Sequence, residues 1–174
     1  MGTSYRSLMH DRKQSFPPVV DPRVRLLVLG SLPGERSLSE QRYYAHPQNQ
    51  FWALMAAATG RDLPALPYPG RLTALLEAHV GLWDVVASAR RQGSTDAALQ
   101  DVERHDIAAL AESLPELRAI AFNGGTALRH GLRQLGPLAT RWQVVALPSS
   151  SPLHTIGLAA KLPAWRALSA HISP

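Results

Sequence analysis

Residues 24–30 read Val-Arg-Leu-Leu-Val-Leu-Gly, a short apolar run that stops at a glycine. Such a run is typical of a strand that is buried on both faces of a parallel sheet, and we predict this strand over residues 24–29. Similar runs at residues 118–122 and 143–147 predict two further strands. Residues 80–86 are either a short strand or the edge of a site.

Helical spacing of apolar residues appears between these strands. It predicts helices over residues 49–60, 72–79, 101–114 and 158–171, and a further helix that follows a turn at 123–125 and runs to about residue 135. Loops are predicted at 31–48, 64–69 and 149–155. Because short strands alternate with helices, we expect a single three-layer α/β/α domain with a central, mainly parallel sheet. We place this domain at residues 23–174. Residues 1–22 are polar and end in prolines, which favours a flexible or loosely docked N-terminal arm.

Composition excludes several classes of protein. The chain has 174 residues, 45% of them hydrophobic and 18% charged, which are the proportions of one globular domain. It has no cysteine, so disulfides, thiolate zinc sites, a cysteine nucleophile and a cysteine-bound iron–sulfur cluster are excluded. We find no apolar run that is long enough to span a membrane and no signal peptide. We therefore expect a cytoplasmic protein with no membrane partner, and we take a monomer as the default.

The basic side chains are almost all arginine. The formal net charge is +5, and 16 of the 18 basic residues are Arg. Guanidinium groups pair well with phosphates, so the charge favours a phosphate-rich partner such as nucleic acid. The alternative is a genome that is biased toward arginine codons, which the abundant Ala, Leu and Pro also suggest.

The predicted topology indicates where a ligand binds. In parallel α/β sheets the ligand lies beyond the carboxyl ends of the strands. Two loops leave strands at that edge, residues 30–34 (Gly-Ser-Leu-Pro-Gly) and residues 147–152 (Leu-Pro-Ser-Ser-Ser-Pro). We therefore predict a site between these two loops.

Residues 43–52, Tyr-Tyr-Ala-His-Pro-Gln-Asn-Gln-Phe-Trp, are the densest cluster of aromatic residues in the chain. Aromatic rings beside amide groups suit a flat, hydrogen-bonding ligand such as a nucleobase. The alternative is that Phe51 and Trp52 belong to the core and that Asn49 caps a helix. Asn49 can serve both purposes.

Three other features bear on chemistry. The three serines at residues 149–151 offer hydroxyl and backbone N–H groups that can hold phosphates, but no GxSxG motif supports a serine hydrolase. The seven histidines show no metal-ligand spacing, so we expect no metal site. Asp84 is an acid inside an apolar run and is either functional or a structural, salt-bridged acid.

These motifs resemble the uracil-DNA glycosylase superfamily. The resemblance is greatest to its hypoxanthine-DNA glycosylase branch and extends to the mismatch-specific uracil/thymine-DNA glycosylases. Residues 30–34, 43–52, 81–94, 119–127 and 147–155 carry it, in the expected order. It implies a four-stranded sheet, flipping of a damaged base into a pocket, and hydrolysis of the N-glycosidic bond to leave an abasic site, with no metal or cofactor. Hypoxanthine is the first expected substrate and uracil the second. Because the substrate would be DNA, the resemblance also implies that the cytoplasmic protein is associated with the nucleoid.

The resemblance also implies roles for individual residues. Other branches carry an Asp or Asn in the first motif, where this chain has Ser31-Leu32-Pro33; the hypoxanthine branch lacks it too, and its catalytic Asn corresponds to Asn49. The implied base-binding residues are Gly30, Ser31, Leu32, Tyr44 and Asp84. The implied DNA contacts are Ser149, Ser150, Ser151 and His154, with Leu153 as a wedge into the base stack.

Lysine is scarce, and this predicts the type of glycosylase. A glycosylase that also cleaves the strand needs an amine for a Schiff base, and neither Lys13 nor Lys161 lies in a motif. We therefore predict a monofunctional enzyme. Two other hypotheses are a catalytically silent protein that binds damaged DNA on the same fold and an unrelated flavodoxin-like domain that binds a small nucleotide.

Overall fold

The computed structural model describes residues 12–174, which form two sheets flanked by helices. The strands are β1 (Arg12–Gln14), β2 (Leu26–Gly30), β3 (Val80–Asp84), β4 (Val86–Arg90), β5 (Gln100–Arg104), β6 (Ala119–Asn123) and β7 (Gln143–Leu147). The helices are α1 (Glu35–Glu40), α2 (Phe51–Thr59), α3 (Tyr68–Glu77), α4 (Ile107–Ser113), α5 (Gly125–Leu135), α6 (Leu158–Arg166) and α7 (Ser169–Ile172). Short 3₁₀ turns occur at Leu63–Ala65, Asp96–Ala98 and Gly136–Arg141.

The central sheet is parallel and has the strand order β3-β2-β6-β7. Strand β2 is buried along its whole length, and its successive side chains point to opposite faces. Leu26 and Val28 join a core with helices α2 and α6, whereas Leu27 and Leu29 join a second core with α4 and α5. The predicted three-layer α/β/α fold with a four-stranded parallel sheet is confirmed.

The parallel register brings four strand ends together. Gly30 pairs with Asp84, and Asn123 pairs with Leu147. All four residues therefore lie at one edge of the sheet, where the loops that follow β2, β6 and β7 begin.

A second, antiparallel sheet has the strand order β1-β4-β5, and it was not predicted. The prediction of one helix over residues 101–114 is wrong, because residues up to Arg104 pair with β4 and the helix begins only at Ile107. Asp106 sets this start, since its Oδ1 accepts the Ala109 N–H at 3.0 Å.

Smaller differences concern the segment ends. The predicted loop at 31–48 contains helix α1, and the last predicted helix is two helices, α6 and α7. Helix α3 begins at Tyr68 rather than at residue 72. Of the predicted arm, residues 1–11 lie outside the described residues, while Arg12–Gln14 pair with β4. The domain boundary after residue 22 stays a prediction. Within the described part, no helix is both long and apolar enough to cross a membrane.

Candidate active site

A cavity of about 420 Å³ opens at the carboxyl edge of the parallel sheet. Most of the residues predicted from the sequence line it: Gly30, Ser31, Tyr44, Asn49, Asp84, Ser149, Ser150, Ser151, Leu153 and His154. Leu32 does not line it, because its side chain is buried against Val86 and Ala89 beside the second sheet. The cavity also includes groups that were not singled out, among them Asn123, Asp96, His46 and Ser37.

Gly30 keeps the cavity open at the end of strand β2. A Cβ atom at this position would lie 2.7 Å from Asp84 Oδ1 and 3.0 Å from the Tyr44 hydroxyl oxygen. Any larger residue would therefore push against both polar groups. The absence of a side chain leaves these two groups facing the same space.

Asp84 ends strand β3 as a nearly buried carboxylate, with 3% of its surface exposed. Its Oδ2 accepts a hydrogen bond from the Ser15 hydroxyl at 3.0 Å. Burial raises the pKa of Asp84 to about 7, although the Ser15 hydrogen bond works in the opposite direction. This acid therefore changes its charge near neutral pH.

The Tyr44 ring is held in place by packing of one of its faces against Phe51. The ring stacks on Phe51 with 3.8 Å between centroids and 13° between planes. Its hydroxyl oxygen accepts a hydrogen bond from Asn123 Nδ2 at 3.3 Å. Burial, and then the nearby Asp84 charge, raise the pKa of the Tyr44 hydroxyl, so the hydroxyl stays protonated. The tyrosine is thus a preorganised wall of the cavity.

Asn49 combines the two alternatives that the sequence left open. Its Oδ1 accepts the Phe51 backbone N–H at 3.0 Å, so it supports the start of helix α2, and the residue also lines the cavity. Its own backbone N–H donates to the His46 carbonyl at 2.9 Å. These two bonds hold the amide at the cavity wall.

Asn123, at the end of strand β6, connects the cavity to the serine loop, defined as residues 148–154. Its Nδ2 donates to Ser150 Oγ at 2.9 Å, and its Oδ1 accepts the Ser150 N–H at 2.9 Å. The sequence signal for it was an amide directly after an apolar run and before a Gly-Gly turn. Ser150 is only 1% exposed, and its hydroxyl oxygen accepts a hydrogen bond from Asn123, so it holds the serine loop in place. Its predicted contact with DNA stays a prediction.

Two side chains of helix α6 donate hydrogen bonds to backbone carbonyls of the serine loop. Lys161 Nζ donates to the Ser151 carbonyl at 3.2 Å, and Trp165 Nε1 donates to the Pro148 carbonyl at 2.9 Å. Beyond this fixed base, Leu153 is 61% exposed and His154 is also exposed. The loop therefore has a rigid base and an apolar tip at the mouth of the cavity.

Comparison with known proteins identifies the family. The family model described as the uracil DNA glycosylase superfamily matches residues 17–169. The chain belongs to this superfamily. The resemblance inferred from the motifs is thereby confirmed.

Similar proteins come from two species of Methanosarcina. A hypoxanthine DNA glycosylase of Methanosarcina barkeri is 42% identical over 113 residues, which cover 65% of this chain and 72% of the relative. A hypoxanthine DNA glycosylase of Methanosarcina acetivorans is 40% identical over 141 residues, which cover 80% of this chain and 86% of the relative. The solution NMR structure of a candidate uracil DNA glycosylase from Methanosarcina acetivorans superposes with a TM-score of 0.80 at 36% identity, over 92% of this chain and 98% of that one.

The loop after strand β2 carries Ser31, whose hydroxyl is hydrogen-bonded to a second acid in the cavity wall, Asp96. Ser31 Oγ lies 2.8 Å from each carboxylate oxygen of Asp96, and the Arg91 guanidinium lies 3.8 Å from the same carboxylate. Burial raises the pKa of Asp96, whereas Ser31 and Arg91 work against that rise. Ser31 was predicted as a base-binding residue, but Asp96 and Arg91 were not predicted, because the Ser31–Asp96 contact joins residues that are 65 positions apart in the chain. Among residues 12–174, no group of three or more His, Asp or Glu side chains is arranged to hold a metal ion.

Proposed function

We propose that this DNA glycosylase flips hypoxanthine out of deoxyinosine-containing DNA into the cavity and hydrolyses its N-glycosidic bond, leaving an abasic site. The observation that carries the proposal is the pair of groups at the floor of the cavity, where the Asp84 carboxylate and the Tyr44 hydroxyl face the space above Gly30. The two relatives named as hypoxanthine DNA glycosylases support the choice of substrate.

The floor of the cavity matches the edge of hypoxanthine. This base presents an N1–H donor beside an O6 acceptor. The Asp84 carboxylate accepts from N1–H, and backbone N–H groups of residues 31–32 donate to O6. The Tyr44 ring borders the base, and the cavity of about 420 Å³ has room for a bicyclic purine.

Uracil is the second candidate substrate. Its N3–H lies next to a carbonyl in the same way, so Asp84 would accept from it as well. A smaller base would leave part of the cavity unfilled, which favours the purine.

The proposed chemistry depends on positioning. Cleavage passes through a sugar with oxocarbenium character while negative charge builds on the departing base. Asn49 orients the water or polarises the base, although an amide is not a strong general base. Donors that are fixed before the reaction, such as the backbone N–H groups at the end of β2, then stabilise the leaving group.

The surface around the cavity would hold the DNA. Ser149 and Ser151 lie on the rim of the cavity and contribute hydroxyl groups, His154 lies beside them, and the exposed Leu153 enters the base stack to replace the flipped nucleotide.

The enzyme is proposed to be monofunctional. Lys161 is buried and donates to a loop carbonyl, and Lys13 faces Glu35 at 3.8 Å. Neither lysine lines the cavity, so neither amine is placed to attack C1′. Strand breaks should therefore appear only after alkali.

The test uses end-labelled duplexes with one deoxyinosine or one deoxyuridine, incubated with protein and then treated with alkali. We expect a break at deoxyinosine, with the rate reduced about 100-fold or more in Asn49→Ala. Gln48→Ala is the matched control, because the neighbouring amide does not line the cavity. No break in either duplex despite tight binding would favour a silent DNA-binding protein.

A further inference from the structure

A second carboxylate, that of Asp96, lies on the cavity wall just outside the motif at residues 81–94. Asp96 begins the short turn Asp96–Ala98, and its side chain remains 37% exposed. The Ser31 hydroxyl is 2.8 Å from both carboxylate oxygens. Asp96 lines the same cavity as Asn49 and Asp84. It is thus held in place and still open to a ligand.

Arg91 orients this carboxylate without covering it. The Arg91 side chain is fully buried and donates to the backbone carbonyls of Gly93 at 2.9 Å, Leu32 at 3.5 Å and Pro33 at 2.5 Å. These bonds tie the loop after β2 to the loop that carries Asp96. Because the guanidinium uses its N–H groups on the backbone, it approaches Asp96 only to 3.8 Å and makes no bidentate pair.

Hydrolysis of the glycosidic bond needs a group that can accept a proton. The C1′–N9 bond breaks with its electron pair going to the base, and the oxygen of water bonds to C1′ and must lose a proton. The Asn49 amide is not basic enough. In neutral His46, Nδ1 accepts the Gln48 N–H at 3.1 Å, so Nε2 carries the proton and has no lone pair to accept another.

The remaining acids are unequally placed. Asp84 lies at the floor of the cavity, where the proposed function uses it to bind the base. Glu35 is exposed and faces Lys13 at 3.8 Å. Asp96 alone among these three acids is both fixed by hydrogen bonds on the cavity wall and uncommitted to the base.

We propose that Asp96 is a second catalytic residue, which accepts the proton of the attacking water as the water oxygen bonds to C1′ and which stabilises the positive charge on the sugar. Ser31 is its positioning residue. The departing base keeps the C1′–N9 electron pair and takes a proton from solvent. This inference rests on the proposed glycosylase function.

The electrostatic surroundings of Asp96 support this role. Burial raises its pKa, which makes the carboxylate a better proton acceptor than an exposed aspartate. Ser31, Arg91 and Arg129 act in the other direction and favour the ionised form, while Asp84 lies close enough for the two carboxylates to repel each other.

The experiment measures single-turnover cleavage of a deoxyinosine duplex. We expect Asp96→Asn to slow cleavage about 100-fold while the affinity for the duplex changes by no more than about twofold. Asp101→Asn is the matched control, since Asp101 also pairs with an arginine, Arg90 at 2.8 Å, but does not line the cavity. A melting curve of each variant shows whether it is folded.

Chemical rescue separates a catalytic role from a structural one. In Asp96→Ala, added formate should restore cleavage in a concentration-dependent manner at constant ionic strength, and it should not accelerate the wild type or Asn49→Ala. Wild-type rates for Asp96→Asn, or slow variants that formate does not rescue, would overturn the proposal. A wild-type protein that cleaves neither duplex would instead overturn the proposed function itself.

Discussion

The Asp84 carboxylate is almost completely buried. Ionising it therefore lowers the free energy of unfolding by an amount that depends on pH. Its pKa is raised from 3.8 in an unfolded chain to about 7 in the folded protein, chiefly by burial. The folded state therefore binds this proton more tightly than the unfolded state does. Stability is greatest at low pH, falls as the pH rises from about 4 to about 7, and then stays level with respect to this group.

Replacing Asp84 by Asn should therefore stabilise the protein at high pH. The neutral amide removes the cost of the buried charge, so the gain in free energy of unfolding should be larger at pH 8 than at pH 5, by on the order of 2 kcal/mol. Urea unfolding of both proteins at the two pH values measures this. An equal effect at both values would show that Asp84 is not protonated near neutral pH.

The same substitution should weaken catalysis. Only the ionised carboxylate is a strong acceptor for N1–H, so wild-type cleavage should increase as the pH rises through about 7. Asp84→Asn should be slower above that pH and should lose this part of the pH profile. A variant with an unchanged profile would assign the titration to another group.

Among the elements, helix α5 approaches strand β6 so closely that only glycine fits between them. A Cβ atom at Gly131 would overlap the ring of Phe122, whereas a Cβ atom at Gly125, in the same helix, would meet nothing within 4 Å. Strand β6 ends in Asn123, so this packing also sets the position of a cavity residue.

We expect Gly131→Ala to destabilise the protein by about 1–3 kcal/mol, because the core must shift to accept the methyl group. Gly125→Ala should change stability by less than about 0.5 kcal/mol and serves as the control. The midpoints of urea unfolding test both. Equal stabilities of the two variants would contradict the close packing of α5 on β6.

Elements differed in how well the sequence predicted them. Three of the four parallel strands were predicted because each contains a continuous apolar run, and residues 143–147 match β7 at both ends. The fourth, β3, was left open between a short strand and the edge of a site, since its run ends in Asp84. Strand β5 was missed because Gln100–Arg104 contains four polar residues and one Val, which resembles an exposed helix face. Its strand state follows from pairing with β4, a contact that local patterns do not encode.

The candidate site shows the same limit. Motif positions such as Asn49 and Asp84 could be named because each stands beside a recognisable local pattern. The Asn123–Ser150 and Ser31–Asp96 pairs join distant parts of the chain, so no spacing reveals them. The sequence also could not tell that Ser150 is buried while Ser149 and Ser151 lie on the rim.

At the scale of the whole molecule, three arginines lie close together around His130 of helix α5. Arg104 Nε donates to His130 Nδ1 at 3.0 Å, and Arg104, Arg129 and Arg133 all lower the pKa of His130 by their charge, after burial. Arg129 and Arg133 are exposed, and neither forms an ion pair with a carboxylate within residues 12–174. Arg129 is also close enough to influence Asp96 at the cavity.

We expect these two arginines to contact DNA phosphates. The double variant Arg129→Gln/Arg133→Gln should lower the slope of log affinity against log salt by about 2 for an undamaged duplex. Arg23→Gln/Arg61→Gln is the control with the same change of charge. Arg61 lines a groove together with Arg25, which directly precedes β2. This groove is therefore at the amino ends of the parallel strands, whereas the cavity is at their carboxyl ends. Equal slopes for both double variants would assign the binding to net charge alone.

The central claim is that the cavity selects hypoxanthine, and competition in one tube tests it most directly. A deoxyinosine duplex and a deoxyuridine duplex with different labels are mixed with excess protein, and the released bases are identified by mass spectrometry. We predict release of hypoxanthine at a rate at least about tenfold above that of uracil. Faster release of uracil, or release of neither base, would contradict the account.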